Sequence, residues 1–187
     1  MIPRLSRLVL AASLLILTGL SSVAQAQVAK FKSIHDAVPS KFFDAATTAV
    51  DPSNPNRLVI GFNSGLDPTN FLTAQFVAFS SRRIAMDTIS FTVNAPTGFF
   101  VSKIIYTQRG SGSICRTCSS FGAATWVVAG RPASLGEFTN NPSLTATADV
   151  TSLRLTTVPV SITDSLFSGS GSVMITAADV LARLLPK

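Results

Sequence analysis

Apolar and polar residues alternate most regularly in the stretch TISFTVNAPTGFFVSKIIYTQ near the middle of the chain. Ile89, Phe91 and Val93 alternate with polar neighbours, and a two-residue period places such a set on one face of a β-strand. Residues 94–98 contain proline and glycine, which favour a turn. Residues 99–107 are rich in the aromatic and β-branched side chains that are common in strands. The pattern predicts two strands that form the central hairpin of an antiparallel sandwich.

Other strand-like segments are separated by turns that contain Pro, Gly and Asn. The predicted strands cover residues 41–50, 57–62, 71–79, 123–129, 144–150, 152–157 and 158–162, with a last one from Val173. Residues 133–143 are predicted to be irregular. The segment 177–185 fits either a helix or a strand, and a closing strand is favoured. About eight to ten short strands at this spacing predict an all-β fold, an antiparallel β-sandwich of jelly-roll-like architecture.

Residues 1–26 have the three parts of a secretory signal peptide. Two arginines supply positive charge, residues 8–20 are mostly apolar, and an Ala-Gln-Ala sequence provides the small residues of a cleavage site. A membrane anchor is the alternative, but the apolar run is short for a bilayer core of about 30 Å. The sequence predicts cleavage after Ala26, a secreted or periplasmic location, and a single domain over residues 27–187 with no membrane span.

Composition agrees with a β-rich chain. There are 13 Phe residues and Glu137 is the only glutamate, whereas helical domains normally use more Glu and Lys. The formal net charge of +6 is spread along the chain. Close basic pairs occur only at Lys30/Lys32 and Arg82/Arg83, and no basic stripe interleaves with aromatic residues, so nucleic acid is not an expected partner.

The motif Cys115-Arg116-Thr117-Cys118 lies in a Gly- and Ser-rich loop. In an exported protein, the pair Cys115 and Cys118 predicts a disulfide that closes the loop tip. A redox motif would need a helix N-terminus at the first cysteine, and free thiols are a third interpretation. Zinc would need four ligands, and His35 is the only other soft donor in the chain, so no metal site is expected.

Trp126 and Tyr106 are the candidate ligand-facing aromatic residues. Exposed rings of this kind can form a platform on which sugars stack, as in carbohydrate-binding modules. Both residues alternate with apolar neighbours, however, and packing in the core is therefore the favoured interpretation.

No catalytic constellation is expected. His35 and Asp36 are adjacent, so on a strand they would point to opposite faces. No Gly-x-Ser-x-Gly motif occurs, and the aspartates are scattered, most of them in predicted turns, so no pair is nominated. The loop with Asp51, Asn54 and Asn56 has a single carboxylate, which favours a turn over a calcium site. The sequence therefore predicts no catalytic residues, no metal and no cofactor.

Three segments carry a resemblance to known proteins. They are Ile89–Gly98, Ile104–Gly110 and Gly171–Thr176. Through them the chain resembles uncharacterised secreted bacterial β-sandwich proteins, including the exported portions of PEP-CTERM-type proteins. The resemblance implies an exported sandwich and no catalytic residues. The sequence ends at residues 184–187 without the hydrophobic sorting tail of that class, so anchoring through such a tail is not expected.

The sequence thus predicts an exported, non-enzymatic β-sandwich domain with a binding or structural role at the cell surface, in a matrix or in the periplasm. Two alternatives stay open, a carbohydrate-binding module and a small secreted hydrolase with an unrecognised site. The specific partner is unknown, and a glycan or another cell-surface component is the expected class.

Overall fold

The computed structural model of the chain describes residues 27–37, 43–62, 83–112, 120–138, 143–168 and 173–187. Within these ranges almost all regular structure is β-strand. The strands are β1 (Lys30–Asp36), β2 (Ala49–Asp51), β3 (Asn54–Ile60), β4 (Arg83–Asn94), β5 (Phe99–Gly112), β6 (Ser120–Val128), β7 (Arg131–Phe138), β8 (Ser143–Asp149), β9 (Thr157–Ser168) and β10 (Val173–Pro186). A single turn of 3₁₀ helix, η1, spans Thr151–Leu153.

The strands form two sheets of five strands each. The first sheet has the order β1-β4-β9-β6-β7, and the second has the order β2-β3-β10-β5-β8. All pairings between these strands are antiparallel. The inner faces of both sheets contribute to one hydrophobic core. The predicted all-β antiparallel sandwich is therefore confirmed.

The apolar set that alternates along β4 points into this core. Ile89 and Val93 are fully buried, and Phe91 is almost fully buried. Ile162 of β9 lies directly opposite Ile89 and is buried as well. Full burial of a side chain of this size contributes about 1.5–3 kcal/mol relative to exposure. The same alternation decides which side chains of β4 and β9 point outward.

The predicted hairpin between β4 and β5 is wrong. β4 pairs with β1 and β9 in the first sheet, whereas β5 pairs with β8 and β10 in the second. The turn at residues 94–98 therefore carries the chain from one sheet to the other. Ala95 N–H donates to the Thr156 carbonyl, and Lys187 N–H donates to the Gly98 carbonyl. Gly98 has a φ of 85°, which a side chain would disfavour.

Three further segments differ from their predictions. Within the predicted strand 41–50, Phe43 forms only an isolated bridge with Phe62 and residues 45–47 form a turn before β2. Arg131–Phe138 forms β7 and pairs with β6, although residues 133–138 belong to the segment predicted to be irregular. Residues 152–157, predicted to be a strand, contain the end of η1 and a left-handed turn at Arg154 with a φ of 48°. Leu153 and Leu155 pack on the core from this turn. Their alternation therefore marks a segment that covers the core without joining a sheet.

Two other predictions are confirmed. The segment 177–185 belongs to β10, which lies between β3 and β5 in the second sheet. Ala124, Trp126 and Val128 share one buried side of β6. The predicted strand at residues 71–79 lies outside the described residues.

Candidate functional site

The outward side chains of β4, β9 and β6 form a surface that we call the hydroxyl face. Its members are Thr88, Ser90 and Thr92 from β4, Pro159, Ser161 and Thr163 from β9, and Thr125 and Val127 from β6. They point outward because the alternate residues of the same strands fill the core. None of these side chains carries a charge, and most of them carry a hydroxyl group.

Hydroxyl pairs connect the strands across this face. Thr88 Oγ1 lies 2.8 Å from Thr163 Oγ1, and Ser90 Oγ donates to Ser161 Oγ at 3.1 Å. The members of each pair are directly opposite in the β4–β9 register, where such pairs stabilise a sheet. A hydroxyl has one donor and two acceptor positions, so each pair keeps hydrogen-bonding capacity for a ligand.

A bulge in the edge strand β1 brings His35 to this surface. The β1–β4 register shifts between Lys32 and His35, and Ser33 has a φ of 51°, which is uncommon for a residue other than glycine. His35 lies opposite Ser90, and its Nδ1 is 3.0 Å from the Ser33 carbonyl oxygen. Because that oxygen can only accept, Nδ1 is the donor, and Nε2 of the neutral ring is an acceptor.

A groove of about 460 Å³ crosses this part of the hydroxyl face. It is lined by Ser33 and His35 from β1, Ser90 and Thr92 from β4, Pro159 and Ser161 from β9, and Val127 and Gly130 beside them. None of the described lining residues is Lys, Arg, Asp or Glu. The volume falls within the range of about 300–1,000 Å³ that is usual for ligand sites. Apolar surface, hydroxyls and one imidazole together suit an uncharged ligand with hydrogen-bonding groups.

A second polar cluster lies inside the sandwich. Asp87 on β4 and Asp164 on β9 are directly opposite in the register, and both are buried. Asp87 accepts hydrogen bonds from Phe43 N–H at 3.0 Å and Thr88 N–H at 2.8 Å. Tyr106, on the second sheet, donates its hydroxyl to Asp164 Oδ2 at 3.3 Å. A polar contact therefore crosses the core from one sheet to the other.

Burial raises the pKa of Asp164 to about 8. The hydrogen bond from Tyr106 acts to lower that pKa, and the charge of Asp87 raises it further. Burial, followed by the charge of Asp164, also raises the pKa of Tyr106 well above its usual value. Asp164 is therefore largely protonated at neutral pH, so the pair does not supply two ionised carboxylates for catalysis.

Neither Asp87 nor Asp164 was predicted as a site residue, and the prediction that most aspartates lie in turns is wrong for these two strand residues. A signal was present, because Asp87 is in phase with the inward-pointing Ile89 and Asp164 continues the inward set of β9. Gln108, in phase with Tyr106, is buried too, and its amide atoms have no hydrogen-bond partner among the described residues. In the sequence, the cluster can be recognised by polar residues at strand positions whose alternate neighbours are apolar and buried.

Trp126 and Tyr106, the candidate ligand-facing residues, lie in the core. Their relative exposures are 1% and 0%, and their ring centroids are 6.1 Å apart. Each ring points from its own sheet towards the opposite one, because each is in phase with buried apolar residues. Core packing is the correct interpretation, and neither ring offers a face to a ligand in this structure.

The other candidate motifs add no site among the described residues. Cys115 and Cys118 lie outside the described ranges, so their disulfide stays a prediction. Asp51 Oδ1 accepts hydrogen bonds from Ser53 Oγ at 2.6 Å and Ser53 N–H at 2.8 Å, and these bonds lower the pKa of Asp51. This is the turn-forming role that the sequence favoured over calcium binding.

No protein-family model matches the chain, and no curated protein matches it significantly. In the part of the chain that the structure describes, no helix has both the length and the apolar character needed to cross a membrane. The groove of the hydroxyl face and the predicted signal peptide are the features on which a functional proposal can be based.

Proposed function

We propose that this chain is an exported, non-enzymatic binding domain that holds its ligand in the groove of the hydroxyl face. The observation that carries the proposal is the groove itself, with a volume of about 460 Å³ and no charged residue among its described lining. The strands beneath it are held by the core, so the lining side chains stand on a rigid base.

A neutral, hydroxyl-bearing chain such as a glycan is the ligand class that fits best. Ser90, Thr92 and Ser161 offer both donors and acceptors, which match sugar hydroxyls. Val127 and Pro159 supply apolar surface for the C–H faces of sugar rings. This favours the carbohydrate-binding version of the proposal, with contacts other than the two buried aromatic rings.

The surroundings of His35 support binding rather than hydrolysis. A serine nucleophile needs its proton directed towards a base. Ser90 Oγ donates instead to Ser161 Oγ at 3.1 Å. A hydrolase is the alternative, and turnover of a polysaccharide or ester that His35→Ala abolishes would establish it.

The N-terminal leader supports a location outside the cytoplasm, at the cell surface, in a matrix or in the periplasm. Sequencing of the exported protein should give Gln27 as its first residue. A chain that keeps residues 1–26 and stays in the membrane would contradict this location.

Retention on immobilised polysaccharides tests the binding proposal. The processed chain should be retained by at least one neutral polysaccharide, and the retention should persist in high salt, because no charged group of the described lining is involved. Failure to bind any neutral polysaccharide, or binding only to acidic ones with loss in salt, would contradict the proposal.

A further inference from the structure

A recess of about 270 Å³ opens at the second sheet, where β3 separates from β10. Pairing between these strands ends at Arg57 and Leu181. The polar residues that line the recess are Gln27, Asn54, Asn56, Arg57 and Arg183. Unlike the groove of the hydroxyl face, this recess is lined by amides and two guanidinium groups.

Arg57 lies between two carboxylates that do not use all of its donors. Its Nη1 is 3.7 Å from Asp51 Oδ2, and its Nε is 3.6 Å from Asp179 Oδ1. Both separations exceed the usual N–H···O range of about 2.7–3.2 Å. Nε is buried without a hydrogen-bond partner among the described residues, which is unfavourable for a donor. The Arg57 side chain as a whole is nevertheless 40% exposed, so the outer part of the guanidinium can donate to a further oxygen atom.

Arg183 adds positive charge beside Arg57. It lies directly opposite Lys103 in the β10–β5 register, and both side chains are exposed. Like charges in directly opposed positions destabilise a sheet. Lys103 Nζ is 3.5 Å from Asp149 Oδ2, whereas Arg183 forms no ion pair with a described residue. The charge of Arg183 is therefore not balanced by a neighbouring carboxylate.

We propose that the recess binds an oxyanion, a carboxylate or phosphate group carried by a larger ligand, between the guanidinium groups of Arg57 and Arg183. A guanidinium presents a planar fork of N–H donors that pairs with two oxygens of such a group. Asn54 Oδ1 accepts a hydrogen bond from Asn56 N–H at 3.2 Å. The NH₂ of Asn54 therefore remains a donor at the same recess.

Export would add a third positive group. Asn56 holds the start of the described chain, because its Oδ1 accepts from Ala29 N–H at 2.7 Å and its Nδ2 donates to the Gln27 carbonyl at 2.8 Å. Cleavage after Ala26 would create an α-amino group at Gln27, a residue that lines the recess. This contribution rests on the proposed export, whereas the contribution of the two arginines does not.

Calorimetric titration of the processed chain with inorganic phosphate and with glucuronate, at an ionic strength held constant with chloride, tests the site. We expect saturable binding of at least one of the two, and the preferred probe identifies the oxyanion. Arg183→Ala should weaken binding by about tenfold, because a pair of charge-assisted hydrogen bonds is lost. Arg183→Lys keeps the charge without the fork and should bind with intermediate affinity.

Arg131→Ala is the matched control, because Arg131 is an exposed arginine at the start of β7, on the other sheet. It should bind phosphate and glucuronate like the wild type. Circular dichroism checks that each variant is folded. The proposal is overturned if the wild type binds neither probe saturably, or if Arg183→Ala binds as tightly as the wild type. Retention of Arg183→Ala on neutral polysaccharides reports on the groove separately.

Discussion

The three central strands of the first sheet differ from the second sheet in where their ionisable residues lie. On β4, β9 and β6 of the first sheet, the described ionisable side chains are Asp87 and Asp164, which point into the core, while the outer surface carries hydroxyls. On the second sheet, charged side chains such as Arg57, Lys103 and Asp179 lie on the outer surface, which we call the ionic face. One alternating pattern therefore produces two different surfaces.

This difference indicates where each kind of ligand would bind. Charged residues normally cover exposed surface, and the ionic face follows that rule. Exposed ion pairs of that kind contribute little to stability. The hydroxyl face departs from the rule and also contains the larger groove, so it is the surface suited to a neutral ligand. The recess at Arg57 and Arg183 is the place on the second sheet suited to an anion.

The largest expected effect comes from damage to the core that both faces share. Trp126→Ala should lower the free energy of unfolding by about 3–5 kcal/mol, because it leaves a cavity beside Tyr106. Tyr106→Phe keeps the ring and removes only the hydroxyl, so it should cost about 1–3 kcal/mol. Urea denaturation measures both. Equal, small losses would show that the two sheets do not share one core.

The buried carboxyl group of Asp164 should make stability depend on pH. Because the pKa of Asp164 is raised to about 8, the folded state binds its proton more tightly than the unfolded state does. Its stabilising contribution is complete below about pH 4 and is lost as the pH rises to about 8. Asp164→Asn should abolish this decline in urea midpoints between pH 4 and 8.

Asp149→Asn is the control for the pH experiment. Asp149 lies on the ionic face, and hydrogen bonds from Thr151 lower its pKa. Its contribution is lost only as the pH falls through that lowered pKa, so the substitution should leave the decline between pH 4 and 8 in place. A decline that Asp149→Asn removes and Asp164→Asn retains would contradict the assignment.

The smallest expected effect is on the ionic face. Lys103 and Asp149 are separated by 3.5 Å and both side chains are about half exposed. Lys103→Ala should therefore cause only a slight loss of thermal stability, and that loss should disappear in high salt. A large loss that persists in salt would show that the charges of this face are structural.

The periodicity of single strands could be predicted, because it depends on local sequence. The inward set of β4 follows from alternation alone, whereas the spacing of apolar residues in the segment 177–185 fits a helix as well as the strand that it forms. The partner of each strand could not be predicted in the same way. The turn at residues 94–98 has the same Pro and Gly chemistry in a hairpin as in a crossing between sheets, so the choice depends on the other strands.

The candidate site was harder to predict than the fold. The groove brings together His35, Ser90, Ser161 and Val127, which lie on four strands far apart in sequence. None of them belongs to a local motif, and their meeting depends on strand order and on the bulge in β1. By contrast, the core position of Trp126 follows from its phase on β6.

The claim that the hydroxyl face binds a neutral ligand is tested most directly by one pair of substitutions. Val127 lies in the groove and Val59 lies on the ionic face, and their exposures are 41% and 45%. Because both positions are exposed, a lysine at either one should change stability little. Val127→Lys and Val59→Lys should therefore unfold at nearly the same temperature as the wild type.

The measurement is the affinity of these two variants for the neutral polysaccharide that retains the wild type. Val127→Lys should bind about tenfold more weakly or worse, because the longer charged side chain would occupy the groove and remove the apolar surface that Val127 offers the ligand. Val59→Lys should bind like the wild type. Equal affinities for the two variants, or a loss confined to Val59→Lys, would contradict the account.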